Sequence, residues 1–420
     1  MTVVDPVEMV GAESPGDSSH RGLATNDMIF VSLEDWDDIW RRNQFLCSEL
    51  TRRYPQARIL FVGLPRNLLR EWRRGYWRTH RRASATVVPG HPSITMTHAW
   101  EILPNRFRLG RWLNQFLARR HLRRLASKLD LRAPILWLNA HDAAHLAGHL
   151  DESTVIYDVT DDWSNVSQPP ARRRRTIRED KRLCHHADAV IVCSEALRQN
   201  KAVLSRHVHL VPNGVDAAHY ADAPVPARLP SATLGRGMVL GYTGTLHGDR
   251  LDVELVRRLA TILGNTGSVV LIGPDHLSAH ERGRLRLPNV FFAGAVPYLQ
   301  LPEYMRFFDA CIVPHRITPF TESLNPIKLW EYLALGKPII ATRVAGFRDY
   351  PRLVHFADSA EEFAGWARLS AVEDPCLSQQ RRAEARRHSW ENRCDGVERI
   401  IAGCLSRRAE GRSTANTHHP

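Results

Sequence analysis

The feature that most constrains the fold is a series of short, continuous apolar runs rich in β-branched residues, separated by stretches with helical periodicity. The runs are MIFVSL, ARILFVGL, PILWLNA, STVIYDV, DAVIVCS and HVHLVP in the first half, then GMVLGYTG, SVVLIG, VFFAG, ACIVPH and KPIIAT in the second. Such runs are typical of parallel strands covered on both faces. The sequence therefore predicts an α/β protein with two Rossmann-like, doubly wound domains that face a shared cleft.

The length of 420 residues also favours two domains rather than one hydrophobic core. We expect these domains at 27–218 and 237–388, joined by a linker at 219–236, with disordered polar tails at 1–26 and 406–420. No apolar run is long enough to cross a membrane, and no signal-peptide pattern is seen. The seven cysteines are scattered without a C-x-x-C pair, which fits a reducing compartment, and we expect a cytoplasmic protein.

Positive charge is concentrated in the first domain. The net charge is +12, and residues 51–132 hold 19 Lys or Arg against three acids. The segment RFRLGRWLNQFLARRHLRRLASKL combines arginines with an apolar stripe at helical spacing, formed by Leu109, Trp112, Leu113, Phe116 and Leu117. We expect it to lie on an anionic membrane surface, at the inner face of the cell membrane. The alternative is a helix packed on the core with a solvated basic face. Nucleic acid is not expected, because no known binding module accompanies the charge.

Two segments of the second domain suggest an anion site. In GYTGTLHGDR, Gly244 permits a tight turn, the following helix start offers N–H groups, and Arg250 adds a cation; a glycine needed only for packing is the alternative. In HRITPFTESLNPIKLWEY, Asn325, Lys328 and Glu331 follow a predicted strand. Lysine can neutralise a diphosphate and a carboxylate can accept hydrogen bonds from ribose hydroxyls. The alternative is an exposed i, i+3 ion pair.

In the first domain, carboxylates follow a predicted strand in YDVTDDW. Asp158, Asp161 and Asp162 are candidates to orient ligand hydroxyls or to transfer protons, although one of them can equally serve as a helix N-cap. His141 follows another strand and is a further catalytic candidate. It shares a helical face with two other histidines, but no carboxylate or cysteine spacing supports a metal site, so none is expected.

The loop after the first strand, SLEDWDDIW, is expected to border the cleft. Trp36 and Asp37 are its candidates to contact a ligand, and packing is the alternative for Trp36.

The ordered segments ADAVIVCSEALR, VHLVPNGVD, GYTGTLHGDRLDVELV, VVLIGP, LPNVFFAGAVPYLQLPEYMRFFDACIVPH and NPIKLWEYLALGKPIIAT resemble the GT-B-fold retaining glycosyltransferases of family 4. WDDIWRRNQFL and VIYDVTDDW make the chain most similar to the bacterial cell-surface polysaccharide, teichuronic-acid-like branch. The resemblance covers roughly residues 28–403. It implies a nucleoside diphosphate sugar donor in the second domain, a glycan or lipid-linked acceptor in the first, and no metal or other cofactor. The resemblance thereby makes Trp36, Asp37, Asp158 and Asp162 the expected acceptor-side residues.

The resemblance also assigns residues. Glu331 matches the second glutamate of the family's paired-glutamate motif, which contacts the donor ribose. The first glutamate falls at Ser323, and Glu322, one residue earlier, is taken as its catalytic substitute. Thr245 stands where many members have arginine, and Arg250 lies close to their lysine. Asp161 falls where many relatives carry a strand-end histidine. The last helix, 389–405, is expected to return to the first domain.

Two other functions stay open. A nucleotide-sugar epimerase on the same fold would release an isomerised sugar nucleotide without an acceptor. A catalytically inactive, membrane-associated scaffold would bind no nucleotide; the displaced glutamate and the threonine at position 245 are the features that favour it.

Overall fold

The structure is a computed structural model that describes residues 27–73, 85–166, 168–221 and 237–416. Its strands are β1 (Met28–Val31), β2 (Ile59–Asn67), β3 (Thr86–Val88), β4 (His91–Glu101), β5 (Ile135–Leu138), β6 (Thr154–Val159), β7 (Ala189–Val192), β8 (Val208–Leu210), β9 (Met238–Thr243), β10 (Gly267–Ile272), β11 (Val290–Gly294), β12 (Ala310–Val313), β13 (Ile339–Ala341) and β14 (His355–Phe356).

The helices alternate with these strands. They are α1 (Arg42–Arg53), α2 (Leu68–Arg73), α3 (Arg108–Lys128), α4 (Pro170–His186), α5 (Glu195–Ala202), α6 (Ala217–Ala221), α7 (Val253–Leu263), α8 (Ala279–Arg284), α9 (Leu301–Met305), α10 (Ile327–Leu335), α11 (Ala360–Leu369), α12 (Pro375–Arg387) and α13 (Trp390–Asn416). Short 3-10 turns, among them His141–His145 and Thr321–Ser323, join several of them.

The strands form two sheets, and the prediction of two Rossmann-like units is confirmed. The eight-stranded sheet has the order β3-β4-β2-β1-β5-β6-β7-β8, and the six-stranded sheet has the order β11-β10-β9-β12-β13-β14. In each sheet the strand order reverses beside the first strand, at β1/β5 and at β9/β12. Loops at the carboxyl ends of such neighbouring strands diverge and leave a crevice for a ligand.

Every apolar run predicted as a strand is a strand, and the central ones are buried along their whole length. The sequence did not predict the hairpin of β3 and β4, in which β3 runs antiparallel to β4 at the sheet edge. Most residues of this hairpin are partly or fully exposed, and polar side chains alternate with apolar ones along much of β4. A search for continuous apolar runs misses such a strand.

The C-terminal helix corrects one predicted boundary. Helix α13 packs against α1 beside the first sheet. The Trp390 ring of α13 stacks on the Phe45 ring of α1, with the ring centroids 4.8 Å apart. The helix continues to Asn416, although a disordered tail was expected from residue 406. Arginine, alanine and glutamate there favour helix, and no proline interrupts them. The expected tail at 1–26 lies outside the described residues, as do 417–420.

The expected linker is described only in part: residues 219–221 end helix α6, and 222–236 lie outside the described residues.

Helix α3 shows that the core-packed alternative for the apolar stripe is wrong. Leu109, Trp112 and Phe116 are 70%, 61% and 48% exposed. The helix instead buries its opposite face, which carries Gly110, Asn114 and Ala118 in its first half and Leu122 and Leu125 in its second half. Small side chains permit close packing on the sheet, and this packing directs the large apolar residues outward. Among the described residues, no helix is both long and apolar enough to span a bilayer.

Candidate functional site

The crevice at the strand ends of the two sheets holds a cavity of 360 Å³. Its walls are formed by residues of both domains, on loops and helices near the points where the strand order of each sheet reverses. From the first sheet they include Glu34, Trp40, Arg41, Asn139, Asp161 and Trp163, and from the second Tyr242, Gly244, Thr245, Arg250, His315, Asn325, Lys328 and Glu331. All six predicted donor-side residues therefore line one space, and Asp161 faces them from the first domain.

Lys328 and Arg250 form the part of the second-domain wall that we call the cationic wall, and Lys328 lies at its centre. Its Nζ donates to the hydroxyl of Tyr242 (2.8 Å), lies 4.0 Å from the centre of that ring, and is 3.5 Å from His315 Nε2. Burial, reinforced by the charge of Arg250, lowers the pKa of Lys328 to about 7. Burial also holds the pKa of His315 well below its usual value, so this ring is neutral. A lysine that has lost most of its hydration is well placed to gain from a bound anion.

Glycine at position 244 is required by the backbone conformation of the turn after β9. The residue follows β9 with φ of +127°, and a Cβ atom there would lie 2.8 Å from Lys328 Nζ. The glycine therefore lets the backbone turn and lets the ammonium group reach the loop.

Arg250 adds a second cation, whereas the expected helix terminus does not contribute. The Arg250 guanidinium lies over the Phe320 ring at 4.7 Å, and the described residues offer it no salt bridge. Helix α7 begins only at Val253, and the carboxylate of Asp252 already accepts hydrogen bonds from its first amides. Its free N–H groups are thus capped within the chain, so anion binding falls to the side chains.

Glu331 lies near Lys328 but is not its ion-pair partner, so the alternative of an exposed pair is wrong. Glu331 is 8% exposed, and its Oε1 accepts a hydrogen bond from the hydroxyl of Tyr220 (2.8 Å). Burial raises the pKa of Glu331, while the Tyr220 hydroxyl and the Lys328 charge oppose this rise. Sequence reasoning missed Tyr220, which lies on α6 within the expected linker at 219–236; no motif marks it.

Asn325 serves as a contact between the two domains. Its Oδ1 accepts from the backbone N–H of Asn213 (2.8 Å), and its carbonyl accepts from the Asn213 side-chain amide (2.5 Å). The Ser194 hydroxyl donates to the carbonyl of Ser323 (2.6 Å) in the same region. The loop before α10 is therefore held by the first domain, which fixes where Lys328 enters the cavity.

The structure does not bring Glu322 into the cavity, so its expected catalytic placement is corrected. Glu322 lies on the 3-10 turn Thr321–Ser323 and forms a salt bridge with Arg348. The Ser323 hydroxyl, at the position of the family's first glutamate, donates to the carbonyl of Phe320 (2.7 Å). The turn directs both side chains away from the space lined by Lys328.

Of the three aspartates in YDVTDDW, only Asp161 lines the cavity. Burial raises the pKa of Asp161, and the positive charge of Arg250 across the cavity opposes this rise. Asp158 is fully buried and accepts from Arg42 Nε at 3.0 Å, so it supports the floor instead of contacting a ligand. Asp162 accepts from the backbone and side chains of Ser164 and Asn165, which orders the loop. The acceptor-side predictions for Asp158 and Asp162 are therefore corrected.

The loop after β1 presents different residues from those predicted. Trp36 packs edge-on against Phe61, with ring centroids 5.1 Å apart, and Asp37 accepts from the backbone of Ile39 (3.0 Å). Neither lines the cavity. Trp40 does so, and its ring stacks on Tyr298 of the second domain at 5.3 Å. The side chains of Trp36 and Asp37 shape the loop that carries the lining residues.

Glu34 is the acidic residue of this loop that sequence reasoning missed. It lines the cavity and pairs with Arg41 (3.2 Å). Although its side chain keeps 37% of its accessible surface towards the open cavity, protein atoms crowd it, and desolvation raises its pKa to about 7 against the opposing charge of Arg41. The negative charge of Asp161 also contributes. Its position three residues after a buried strand was the available signal.

His141 lies beside the cavity but does not line it. Its ring is 6.2 Å from that of Trp163, and burial lowers its pKa. Within the described ranges, no group of three His, Cys, Asp or Glu side chains is arranged to hold a metal ion.

Comparison with known proteins places this cavity in context. Residues 237–365, which include the cationic wall, match the family described as Glycosyl transferases group 1. The chain is 30% identical over 277 residues to the putative teichuronic acid biosynthesis glycosyltransferase TuaH of Bacillus subtilis, covering 60% of this chain and 68% of that protein.

Solved structures share the fold. HepE of Anabaena, in complex with UDP, has a TM-score of 0.62 at 13% identity over 90% of this chain and all of that one. Sucrose-phosphate synthase of Thermosynechococcus elongatus has a TM-score of 0.66 at 15% identity over 91% and 99%. These low identities support the GT-B arrangement alone, whereas the similarity to TuaH extends to sequence. The chain belongs to the group 1 glycosyltransferase family.

Proposed function

We propose that this protein is a retaining glycosyltransferase of family 4, which moves a sugar from a nucleoside diphosphate sugar to a lipid-linked or glycan acceptor of a cell-surface polysaccharide. The observation that carries the proposal is the cavity itself. Lys328, Arg250 and Glu331 line its second-domain wall, and Glu34 and Asp161 face them from the first domain. Lys328 and Arg250 suit a diphosphate leaving group, and the first-domain carboxylates suit a hydroxyl acceptor.

In the proposed complex the donor binds along the second sheet. Lys328 and Arg250 neutralise the diphosphate, and Glu331, oriented by Tyr220, accepts hydrogen bonds from the ribose hydroxyls. The UDP bound to HepE and the name of TuaH are consistent with this use of the site.

In the proposed reaction the acceptor oxygen approaches the sugar C1 from the face that the diphosphate leaves. The bond from C1 to the diphosphate oxygen breaks and a bond from C1 to the acceptor oxygen forms on the same face, which retains the configuration at C1. Negative charge grows on the diphosphate, where fixed cations stabilise it more than in the ground state. The acceptor proton passes to a basic oxygen in the cavity, for which Asp161 and Glu34 are the candidates on the acceptor side. Because Arg250 and Lys328 supply the positive charge, we propose that no metal or other cofactor is needed.

We further propose that the protein works on an anionic membrane surface at the inner face of the cell membrane. Leu109, Trp112 and Phe116 project from α3, and the rings of Trp112 and Phe116 stack 6.0 Å apart. Beyond them on the same helix, Arg120 and Arg124 lie beside Phe116 in a basic surface depression. Aromatic rings in the headgroup zone with arginines nearby are typical of peripheral membrane binding.

Nucleotide binding tests the proposal. UDP, GDP, ADP and dTDP are titrated calorimetrically into wild type and Glu331→Gln, with Glu322→Gln as the matched control because that carboxylate lies outside the cavity. We expect one nucleotide to bind, a loss of at least tenfold, about 1.4 kcal/mol, for Glu331→Gln, and no loss for the control.

If none of the four nucleotides binds, the result would favour the alternative of a catalytically inactive, membrane-associated scaffold. Donor turnover measured with and without an acceptor separates the epimerase from the glycosyltransferase. Release of an isomerised sugar nucleotide without an acceptor would identify an epimerase, whereas transfer that requires an acceptor supports the proposed reaction.

A further inference from the structure

Tyr298 of the second domain packs against the loop that follows β1 in the first domain. We call this loop, residues 32–41, the acceptor-side loop. Tyr298 begins a 3-10 turn between β11 and α9 and is 7% exposed. Its ring stacks on Trp40 of the loop, with centroids 5.3 Å and planes 16° apart, and meets Phe45 of α1 edge-on at 5.0 Å. Aromatic pairs of this kind add to the effect of burial, so this ring joins the two domains.

The main chain of Tyr298 is held from two directions. Its N–H donates to the carbonyl of Asp38, in the acceptor-side loop, at 2.7 Å. Its carbonyl accepts a hydrogen bond from His219 Nε2 of α6 at 3.1 Å. Neither bond depends on the side chain at position 298. A substitution of Tyr298 therefore removes the contacts of the ring and keeps those of the main chain.

The hydroxyl of Tyr298 does not contribute to this contact. It is buried and has no hydrogen-bond partner among the residues that the structure describes. A buried hydroxyl without a partner loses its hydration and gains nothing in exchange. The contact therefore comes from the ring, and phenylalanine at this position should preserve it.

The acceptor-side loop carries groups that line the 360 Å³ interdomain cavity described above. Glu34 and Arg41 line it from the first domain, and Val296 and Leu301, on either side of Tyr298 in the sequence, line it from the second. Because the Tyr298 segment and the loop are packed together, their contact fixes how far Glu34 lies from the donor-binding wall.

We propose that Tyr298 is a positioning residue whose ring holds the acceptor-side loop against the second domain and so fixes the place of Glu34 relative to the donor. The proposal rests on the proposed function, in which Glu34 is a candidate to accept the acceptor proton. Tyr298 acts through Trp40 and takes no part in the chemistry. Its importance follows from geometry, because a base accepts a proton only within hydrogen-bond reach of the reacting hydroxyl.

The ionisation of Glu34 reports the position of the loop in the absence of any substrate. Burial raises the pKa of Glu34 to about 7; the charges of Asp161 and Asp37 add to this rise, and those of Arg41 and Arg250 oppose it. If the loop separates from the second domain, water reaches Glu34 and the effect of burial, the largest of these causes, weakens. Loss of the smaller, opposing effect of Arg250 would not compensate. The pKa of Glu34 should then fall towards its ordinary value of 4.5.

Carbon-13 NMR of the glutamate carboxyl groups in the full chain measures this pKa, and Glu34→Gln identifies the resonance. Tyr298→Ala removes the ring and Tyr298→Phe keeps it. Leu299→Ala, at a 74% exposed position of the same turn, is the matched control. We expect Tyr298→Phe and Leu299→Ala to keep the wild-type pKa, and Tyr298→Ala to increase the acid dissociation constant of Glu34 by roughly tenfold or more. A cooperative thermal unfolding transition shows that each variant is folded.

Trp40→Ala tests the same contact from the first domain and decides the matter if Tyr298→Ala does not fold. It should also lower the pKa of Glu34. The double variant Trp40→Ala, Tyr298→Ala should lower it no further than the larger single effect, because both substitutions remove one shared contact. Additive effects would mean that the two rings act separately and would contradict the proposal.

An unchanged pKa of Glu34 in a folded Tyr298→Ala, or in Trp40→Ala, would overturn the proposal. An equal fall in Leu299→Ala would do the same, since it would assign the effect to the turn and not to the ring. Failure of the proposed function would appear separately, as absence of nucleotide binding by wild type, because the pKa of Glu34 is measured without a ligand.

Discussion

Binding of the donor should weaken as pH rises through 7, because Lys328 must be protonated to neutralise the diphosphate. Burial and the charge of Arg250 lower the pKa of Lys328 to about 7. At pH 8.5 the free protein holds this amine almost entirely neutral, and a bound diphosphate raises its pKa again. Linkage then predicts that Kd increases roughly 15-fold between pH 7 and pH 8.5, about 1.6 kcal/mol.

The assay is calorimetric titration with the nucleotide sugar whose base is identified by the nucleotide screen, since its esterified diphosphate does not titrate in this range. Titrations in buffers of different ionisation enthalpy report proton uptake, which we expect to approach one proton per ligand at pH 8.5. Lys328→Arg keeps its charge at every pH and should bind with little pH dependence in this range. Lys328→Met should bind weakly throughout and take up no proton at this position.

Glu34 has a pKa raised to about 7 as well, so Glu34→Gln is the control that separates the two groups. If Glu34→Gln still takes up a proton on ligand binding at pH 8.5, Lys328 is the group that takes it up. A wild-type Kd that is flat between pH 7 and 8.5, and equal in its pH profile to that of Lys328→Arg, would refute the reasoning.

The remaining predictions concern three further groups. Tyr220→Phe removes the hydrogen bond to Glu331 and should weaken nucleotide binding by roughly tenfold, measured by calorimetry, consistent with about 1.5 kcal/mol for a bond to a charged group. Asp158→Asn leaves Arg42 buried without its counter-charge and should lower the free energy of unfolding by roughly 3–5 kcal/mol in urea titrations. Glu34→Gln should remove an ionisation near pH 7 from the pH dependence of transfer, whose rate is expected to rise as Glu34 loses its proton.

Different results would contradict each of these. Unchanged nucleotide binding in Tyr220→Phe would mean that the tyrosine does not orient Glu331. An unfolding free energy within about 1 kcal/mol of wild type for Asp158→Asn would mean that Arg42 finds another partner. A pH profile of Glu34→Gln identical to that of wild type would remove Glu34 from the acceptor side.

The fold was largely predictable, because hydrophobic periodicity records burial directly. Short apolar runs such as PILWLNA and DAVIVCS indicate buried strands, and their alternation with helices then indicates the architecture. Helix α3 shows the limit of periodicity: it identified an apolar stripe but could not tell whether the stripe faces protein or solvent. The small residues opposite, Gly110 and Ala118, were the missing signal.

The site was predictable where a strand end fixes the direction of a side chain. Asp161 lies two residues after strand β6 and lines the cavity, whereas Lys328 lies in the first turn of α10 and was predicted from its residue type at a helix start. Hydrogen bonding between distant segments was not predictable. Tyr220 donates a hydrogen bond to Glu331, which lies 111 residues away in the sequence, and Arg42 donates one to Asp158, which lies 116 residues away. Such pairings depend on tertiary packing, which no local pattern records.

The central claim is that one interdomain cavity binds the donor, with its diphosphate on the cationic wall. A crystal structure of the protein with the nucleotide that binds tests it most directly. We predict diphosphate oxygens within hydrogen-bond distance of Lys328 Nζ and Arg250, and ribose hydroxyls within reach of the Glu331 carboxylate. A nucleotide bound elsewhere, or bound in this cavity with its ribose rather than its diphosphate against Lys328, would contradict the account.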